Sequence, residues 1–362
     1  MPLHAPMSTA PAPRTGPGLD RRVVIGAVVT AGLVVVGLLW AKWWPYAVKI
    51  DGLAGSRAWD GGALVDVARD APTWWQGAWE FTLAYTDAVW RALLVGLLIA
   101  AAIDALLPRE RLRRFLAGRS STTGAAIAGA ASLPSMMCTC CASPVAVSLR
   151  RSGAPLPSVV AYWLGNPVLN PAVLVFLVLV GPWEWAATRL VVGVGLVMGA
   201  AVLAARLAPG RRVDPTTADA APEAAGEDER PSAVRFARSL VRFTVTLVPE
   251  YLVLVALVGS AAHVFTLDAG WVTGGGIALV AVAAVVLLLV IPTGGEIPVL
   301  LTLAALGASP WVLGLVLMAL PAVSLPSLLM VGRSLTWRVT TATVAVVLGA
   351  GFVAGAALLV LS

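Results

Sequence analysis

The sequence predicts an all-α polytopic membrane protein with two inverted structural repeats, each holding a Pro/Gly-broken helix or a re-entrant hairpin. Three observations carry that reading. The 362 residues are 59% hydrophobic and 12% charged, which no ordinary soluble domain matches. Runs of about 20 apolar residues, each long enough to cross a bilayer, recur through most of the chain. Finally, Thr139, Pro144, Val145, Leu149, Gly153, Ala154 and Pro167 return as Thr293, Pro298, Val299, Leu303, Gly307, Ala308 and Pro321, at one constant offset of 154 residues. Duplicated apolar halves, broken by Pro and Gly at corresponding positions, are the pattern of transporters whose central site lies between the halves.

Residues 1–20, rich in Pro and Ala, read as a disordered N-terminal tail. Residues 21–79 read as an anchor helix near 23–41 followed by a Trp-rich external segment. The first apolar run ends in Trp40, Lys42, Trp43 and Trp44 rather than in a small-residue cleavage site, which favours an uncleaved anchor over a signal peptide. Trp59, Trp74, Trp75 and Trp79 suit a headgroup-level belt or small external cap. The first transmembrane repeat covers 80–207, with spanning helices expected near 80–107, 158–180 and 185–207. Asp87 and Arg91, four residues apart, are expected to pair. Residues 208–238 read as a cytoplasmic linker, because Asp214, Asp219, Glu223, Glu227, Asp228 and Glu229 sit among Pro, Ala and Thr. The second repeat covers 239–362, with helices near 241–265, 311–331 and 339–361.

Charge placement sets the expected orientation. Arg109, Arg111, Arg113, Arg114 and Arg119 mark a cytoplasmic loop. The net charge of +6 resides in such short loops and is not a nucleic-acid signature. With Arg150 and Arg151 on the same side, 122–149 must enter and leave by one face, as a hairpin with its tip near Pro134–Pro144. In the second copy, 296–306 makes about 16 Å of helix, too short for a core of about 30 Å. With Arg333 and Arg338 inside, that hairpin enters from outside, giving halves of opposite topology. The competing reading makes 122–149 and 271–291 kinked spanning helices. Either way the chain is expected to span a membrane with its N-terminus cytoplasmic and the lipid bilayer as its first partner; a homo-oligomer is compatible with this plan.

The Cys-rich break before Pro144, then Leu149-Arg150-Arg151-Ser152-Gly153-Ala154-Pro155 and Asn166-Pro167-Val168-Leu169-Asn170-Pro171, resembles the bacterial predicted-permease family that includes the organoarsenical efflux permeases. Glu296-Ile297-Pro298 and Ala319-Leu320-Pro321-Ala322-Val323-Ser324-Leu325-Pro326-Ser327 resemble the C-terminal half of that family. The likeness covers about 80–350. It implies a polytopic permease of the bacterial cytoplasmic (inner) membrane; some members of the family export trivalent organoarsenicals through Cys residues.

Cys138, Cys140 and Cys141, with Met136 and Met137, place five sulfur side chains in six positions. Thiolates and thioethers favour soft species such as Cu(I), and three-coordinate trivalent arsenic fits the same chemistry. Zinc fits less well, since structural sites space their Cys more widely and supply four ligands. In an unwound turn the three thiols would converge; in a regular helix Cys138 and Cys141 share a face and Cys140 points elsewhere. The three also lack the spacing of a disulfide framework, and the opposing reading is that they are small buried hydrophobes. Gly294 and Gly295, at the positions of Cys140 and Cys141, let backbone approach a substrate. Glu296 and Glu250 are intramembrane carboxylates and therefore proton-coupling candidates, or a helix-end charge and an ion-pair partner respectively. Asn166 and Asn170, one turn apart and each before a Pro, either satisfy freed backbone or bind substrate; Ser324 sits correspondingly in the second half.

The leading reading is thus a permease that expels a small thiophilic or metalloid substrate by alternating access, with proton coupling through Glu296. No nucleotide-binding or other cofactor signature is present, and nothing marks an enzyme. The rivals are a membrane thiol–disulfide electron carrier and a non-transporting scaffold.

Overall fold

The computed structural model describes residues 21–107, 121–207, 232–261 and 276–361, and every regular element in them is helical. In chain order these are α1 (Arg21–Leu38), a π turn (Leu39–Trp43), α2 (Trp44–Ser56), α3 (Leu64–Arg69) and α4 (Trp74–Leu106). Next come α5 (Ser121–Ser132), α6 (Thr139–Arg151), α7 (Leu156–Val168), α8 (Pro171–Val180) and α9 (Trp183–Leu207). The remaining helices are α10 (Ala233–Ala261), α11 (Gly276–Leu288), α12 (Glu296–Ala305), α13 (Pro310–Ala322), α14 (Leu325–Leu335) and α15 (Trp337–Leu361). The tail 1–20, the arginines between 109 and 119, and the acidic residues of the linker lie outside the described residues.

Six helical stretches are long and apolar enough to cross a bilayer: Val23–Ser56, Trp74–Leu106, Leu156–Val180, Trp183–Leu207, Ala233–Ala261 and Trp337–Leu361. The pair α13 and α14, bent by 57°, makes a seventh. The protein is a multi-pass membrane protein. Val28, Val36, Val191, Val245, Val280 and Val360 are among many exposed large apolar side chains, a lipid-facing surface on the outer helices.

The structure corrects three expectations. The first helix does not stop near residue 41: a π turn carries it into α2, which ends at Ser56. Lys42 and its neighbouring Trp residues look like a membrane exit, yet Lys42 is buried and hydrogen-bonded within the protein. The run 311–331 is two helices rather than one, because Val323 and Ser324 are extended and Pro326 opens the next helix. Asp87 and Arg91 do not form an ion pair; the Arg91 guanidinium instead lies over the rings of Trp40 and Trp90, 5.6 and 5.5 Å from their centroids.

Helix boundaries follow the 154-residue offset closely. The ends of α7 and α13 correspond position for position, as do those of α9 and α15. The chain ends α6 with bonds from Ser152 N to Ser148 O, Gly153 N to Arg150 O and Ala154 N to Leu149 O. It ends α12 with Leu306 N to Thr302 O, Gly307 N to Ala304 O and Ala308 N to Leu303 O. Gly153 and Gly307 both take positive φ there, 87° and 75°, the left-handed residue that a helix C-cap of this kind needs. Asn170 caps α8 and Ser324 caps α14, again at corresponding positions.

The interior is built from α6, α7 and α13, whose residues are almost all buried. Around them α4 packs on α10, and α9 packs on both α7 and α15. Small residues permit the closest crossings: Gly259 faces Ala78 and Phe81, and Gly314 faces the Gly351 and Gly355 backbone.

Candidate substrate site

Two interruptions in the helical path create the site. The first runs from a 3-10 turn at Leu133–Ser135 through Met136, held at φ 47°, to Cys138, which caps α6 in an extended conformation. The second lies between α11 and α12. There Gly294 takes φ 84°, open only to glycine without strain, and Gly295 N bonds back to Pro292 O. The arms are 12 and 13 residues on one side, 13 and 10 on the other. α6 and α12, with both ends among the described residues, make roughly 15–20 Å of helix, shorter than a bilayer core. Pro144, expected near the tip, lies inside α6 instead, where it leaves the Cys140 carbonyl without its helical donor.

Between the interruptions is a small, partly open cavity lined by Cys138, Thr139, Pro167, Ile291, Pro292, Thr293, Glu296, Leu320, Pro321 and Ser324. Three pairs of these residues are mates at the 154-residue offset: Cys138 with Pro292, Thr139 with Thr293, and Pro167 with Pro321. Both halves therefore contribute the same positions to one wall.

The three cysteines are free and buried, and they divide into two roles. Cys138 lines the cavity, and its Sγ donates toward Cys141 Sγ at 3.2 Å. Cys140 also interacts with Cys138 and in addition shares a hydrogen bond with the Ser324 hydroxyl at 3.2 Å. Among the described residues no three His, Cys, Asp or Glu side chains converge as a metal centre would require. Two adjacent thiols beside a cavity can hold a soft centre that brings a third ligand of its own. They also stand in the C-x-x-C spacing of dithiol redox motifs, at a helix N-terminus.

Glu296 is buried in the opposite wall and forms an ion pair with Arg189, Nη1 to Oε1 at 2.8 Å. Its second oxygen, Oε2, has no partner. Arg189 is itself fully buried, and the chain explains why it is there. Pro171 has no N–H to give the Pro167 carbonyl, and Asn170 Oδ1 takes the N–H of Ala172 that would serve Val168. Arg189 supplies both missing donors, Nη2 to Pro167 O at 2.7 Å and Nε to Val168 O at 3.0 Å. One guanidinium thus closes the broken helix of the first half and pairs with the acid of the second.

The other expected residues are placed around this centre. Asn166 is hydrogen-bonded to the Ser135 hydroxyl and donates Nδ2 to Tyr162 O, bracing the first interruption from behind the wall. Asn170 caps α8 through Ala172 N and Val173 N. Gly294 and Gly295 flank Glu296 without lining the cavity. Glu250 stands apart, paired with Arg333 at 2.9 Å. Besides Arg189, three contributors escaped the sequence reading. Tyr85 OH donates to Ile291 O at 3.2 Å, Trp43 Nε1 donates to Pro134 O at 2.7 Å, and Lys42 Nζ donates to Thr293 Oγ1 at 3.2 Å and Tyr46 OH at 2.9 Å.

Residues 74–359 match the ArsP_1 family, described as Predicted permease. The chain belongs to that family. It is also 37% identical over 331 residues to UPF0718 protein YraQ of Escherichia coli (strain K12), covering 89% of this chain and 92% of that protein. No solved structure shows a significant match. The permease match begins at the first residue of α4, so the cavity and the Arg189–Glu296 pair fall inside it. Lys42 and Trp43, on the N-terminal helix, fall outside it. Arg189 had a usable signal, a cation within the apolar run Trp183–Leu207 and away from its C-terminal Arg206, which should be read as functional by default. Lys42 had none, because Trp residues around a Lys are also the signature of a membrane interface.

Proposed function

We propose that this permease exports a small thiophilic substrate, an organoarsenical or a related soft metalloid species, by alternating access across the bacterial cytoplasmic membrane. One observation carries the reading: the Cys138 thiol, 3.2 Å from that of Cys141 buried behind it, lines a cavity to which both halves contribute corresponding residues. A monosubstituted trivalent arsenical keeps one carbon ligand and needs two sulfurs to complete three-coordination, which matches two converging thiols better than three. The halves are inverted repeats, and α5/α6 and α11/α12 are re-entrant hairpins entering from opposite faces; arms too short to span support this. Such backbone is tolerated at depth where it is buried or lines a cavity. Glu296, facing the cavity through Oε2, exchanges a proton when hairpin movement draws it away from Arg189.

The test is accumulation of methylarsenite, Cu(I) and thiol-reactive compounds in cells carrying the wild type or a Cys138→Ser/Cys141→Ser variant at matched membrane levels. Lower accumulation of methylarsenite with wild type alone is expected. Indistinguishable accumulation for every compound would reject the soft-ligand reading.

The C-x-x-C spacing and the 3.2 Å separation of the same two thiols favour one rival, a thiol–disulfide electron carrier. In that case Cys138 and Cys141 would cycle through a disulfide with a membrane reductant, and no arsenical flux would be seen.

A further inference from the structure

Resting on the two-thiol reading, we propose that the substrate is an anion and that Lys42, supplied by the N-terminal helix, sets this charge preference. The argument starts from charge at the cavity. Among the described residues, three charged side chains form its wall or hydrogen-bond to wall residues: Glu296, Arg189 and Lys42. Glu296 and Arg189 neutralise one another. Lys42 is buried, yet no carboxylate among the described residues lies within ion-pair distance of it. Its electrostatic partners include the thiols of Cys138 and Cys141; once these thiols are bonded to a soft centre they no longer balance it, and the site is left with one positive charge.

A lysine buried without a carboxylate either gives up its proton or takes an anion as partner. Its two contacts are hydroxyl acceptors, Tyr46 OH and Thr293 Oγ1, and an ammonium has a third donor to give. Thr293 lines the cavity, so Lys42 sits one hydrogen bond behind the wall. It also interacts electrostatically with Cys138 and Cys141, which places the charge beside the thiols. The side chain is not free to extend toward a headgroup layer. The preceding π turn aims it inward, and the adjacent Trp43 is tied to Pro134 O at the first interruption. Consecutive residues of one helix thus reach both interruptions, and the second delivers a cation.

A substrate bearing an anionic oxygen beside its soft centre would bind the thiols and neutralise Lys42 together. Lys42 acts across Thr293 as a specificity-determining residue.

The probes are phenylarsonous acid and its 4-carboxy derivative, titrated calorimetrically into the purified full-length protein. They present the same soft centre and differ by one negative charge. The wild type is expected to bind the carboxylated probe about tenfold more tightly, as a charge one hydrogen bond away in a desolvated site warrants. Lys42→Gln should bring the two affinities together, while Lys42→Arg should keep the preference. Equal affinities in the wild type, or an undiminished preference in Lys42→Gln, would overturn the proposal; the wild-type comparison stands even if Lys42→Gln fails to fold. Preference that survives in Cys138→Ser/Cys141→Ser, with both affinities unchanged, would uphold the anion site and reject the thiol reading. Binding of neither probe by the wild type would reject both.

Discussion

A single fully buried arginine serves two carbonyls of α7 and one carboxylate. Arg189 caps the Pro167 and Val168 carbonyls and pairs with Glu296, so removing it leaves an uncompensated acid inside the protein. Breaking a buried pair from one side is expected to destabilise by about 3–5 kcal/mol, whereas replacing both partners is far milder. Arg189→Met should therefore depress the melting temperature of the purified protein strongly. Arg189→Met/Glu296→Met should recover much of the loss, the remainder reporting the two carbonyl caps. A double variant no more stable than Arg189→Met would show that the pairing contributes nothing. Glu296 was visible in the sequence as an acid in apolar surroundings, and its partner was equally visible as a cation within an apolar run. Their pairing was not, because 107 residues separate them and periodicity does not encode how two halves pack. The cysteines divide similarly. The i, i+3 relation of Cys138 and Cys141 follows from helical geometry, while the turn of Cys140 toward Ser324 depends on α14 arriving from the other half.

The two interruptions differ in how they are held, and that difference makes the first one sensitive to α4. Gly96 on α4 lies against the Cys141 carbonyl, where an added Cβ would sit 2.6 Å from the oxygen. The obstacle is backbone, so α6 must shift to admit a methyl group; overpacking of this sort costs roughly 1–3 kcal/mol. Gly96→Ala is expected to lower thermal stability and weaken phenylarsonous acid binding together. Gly195→Ala, where nothing lies within 4 Å, serves as the control. An unaltered affinity in Gly96→Ala would mean that the thiols do not depend on this crossing. Most helices were legible from apolar runs and from Pro and Gly at their ends. The exceptions share a cause, namely local signals with two meanings. Lys42 and its neighbouring Trp residues read as an exit from the membrane, yet the π turn buries Lys42 against Tyr46 and Thr293 while Trp40 and Trp44 stay exposed. The run through Ala322 reads as continuous apolar helix, and the capping pair Ser324 and Ser327 breaks it.

For the whole molecule, the constant offset extends from seven shared residues to coincident helix ends, equivalent C-caps and paired positions on one cavity wall. The account therefore places a single substrate site between two equivalent interruptions, with access passing from one face to the other. The direct measurement is alkylation of Cys138 by a membrane-impermeant maleimide in right-side-out and inside-out vesicles, in the background Cys140→Ser/Cys141→Ser so that one thiol reports. The account predicts labelling from both faces, with phenylarsonous acid in a Cys140→Ser background slowing it on each. Labelling confined to one face under every condition would contradict alternating access at this cavity.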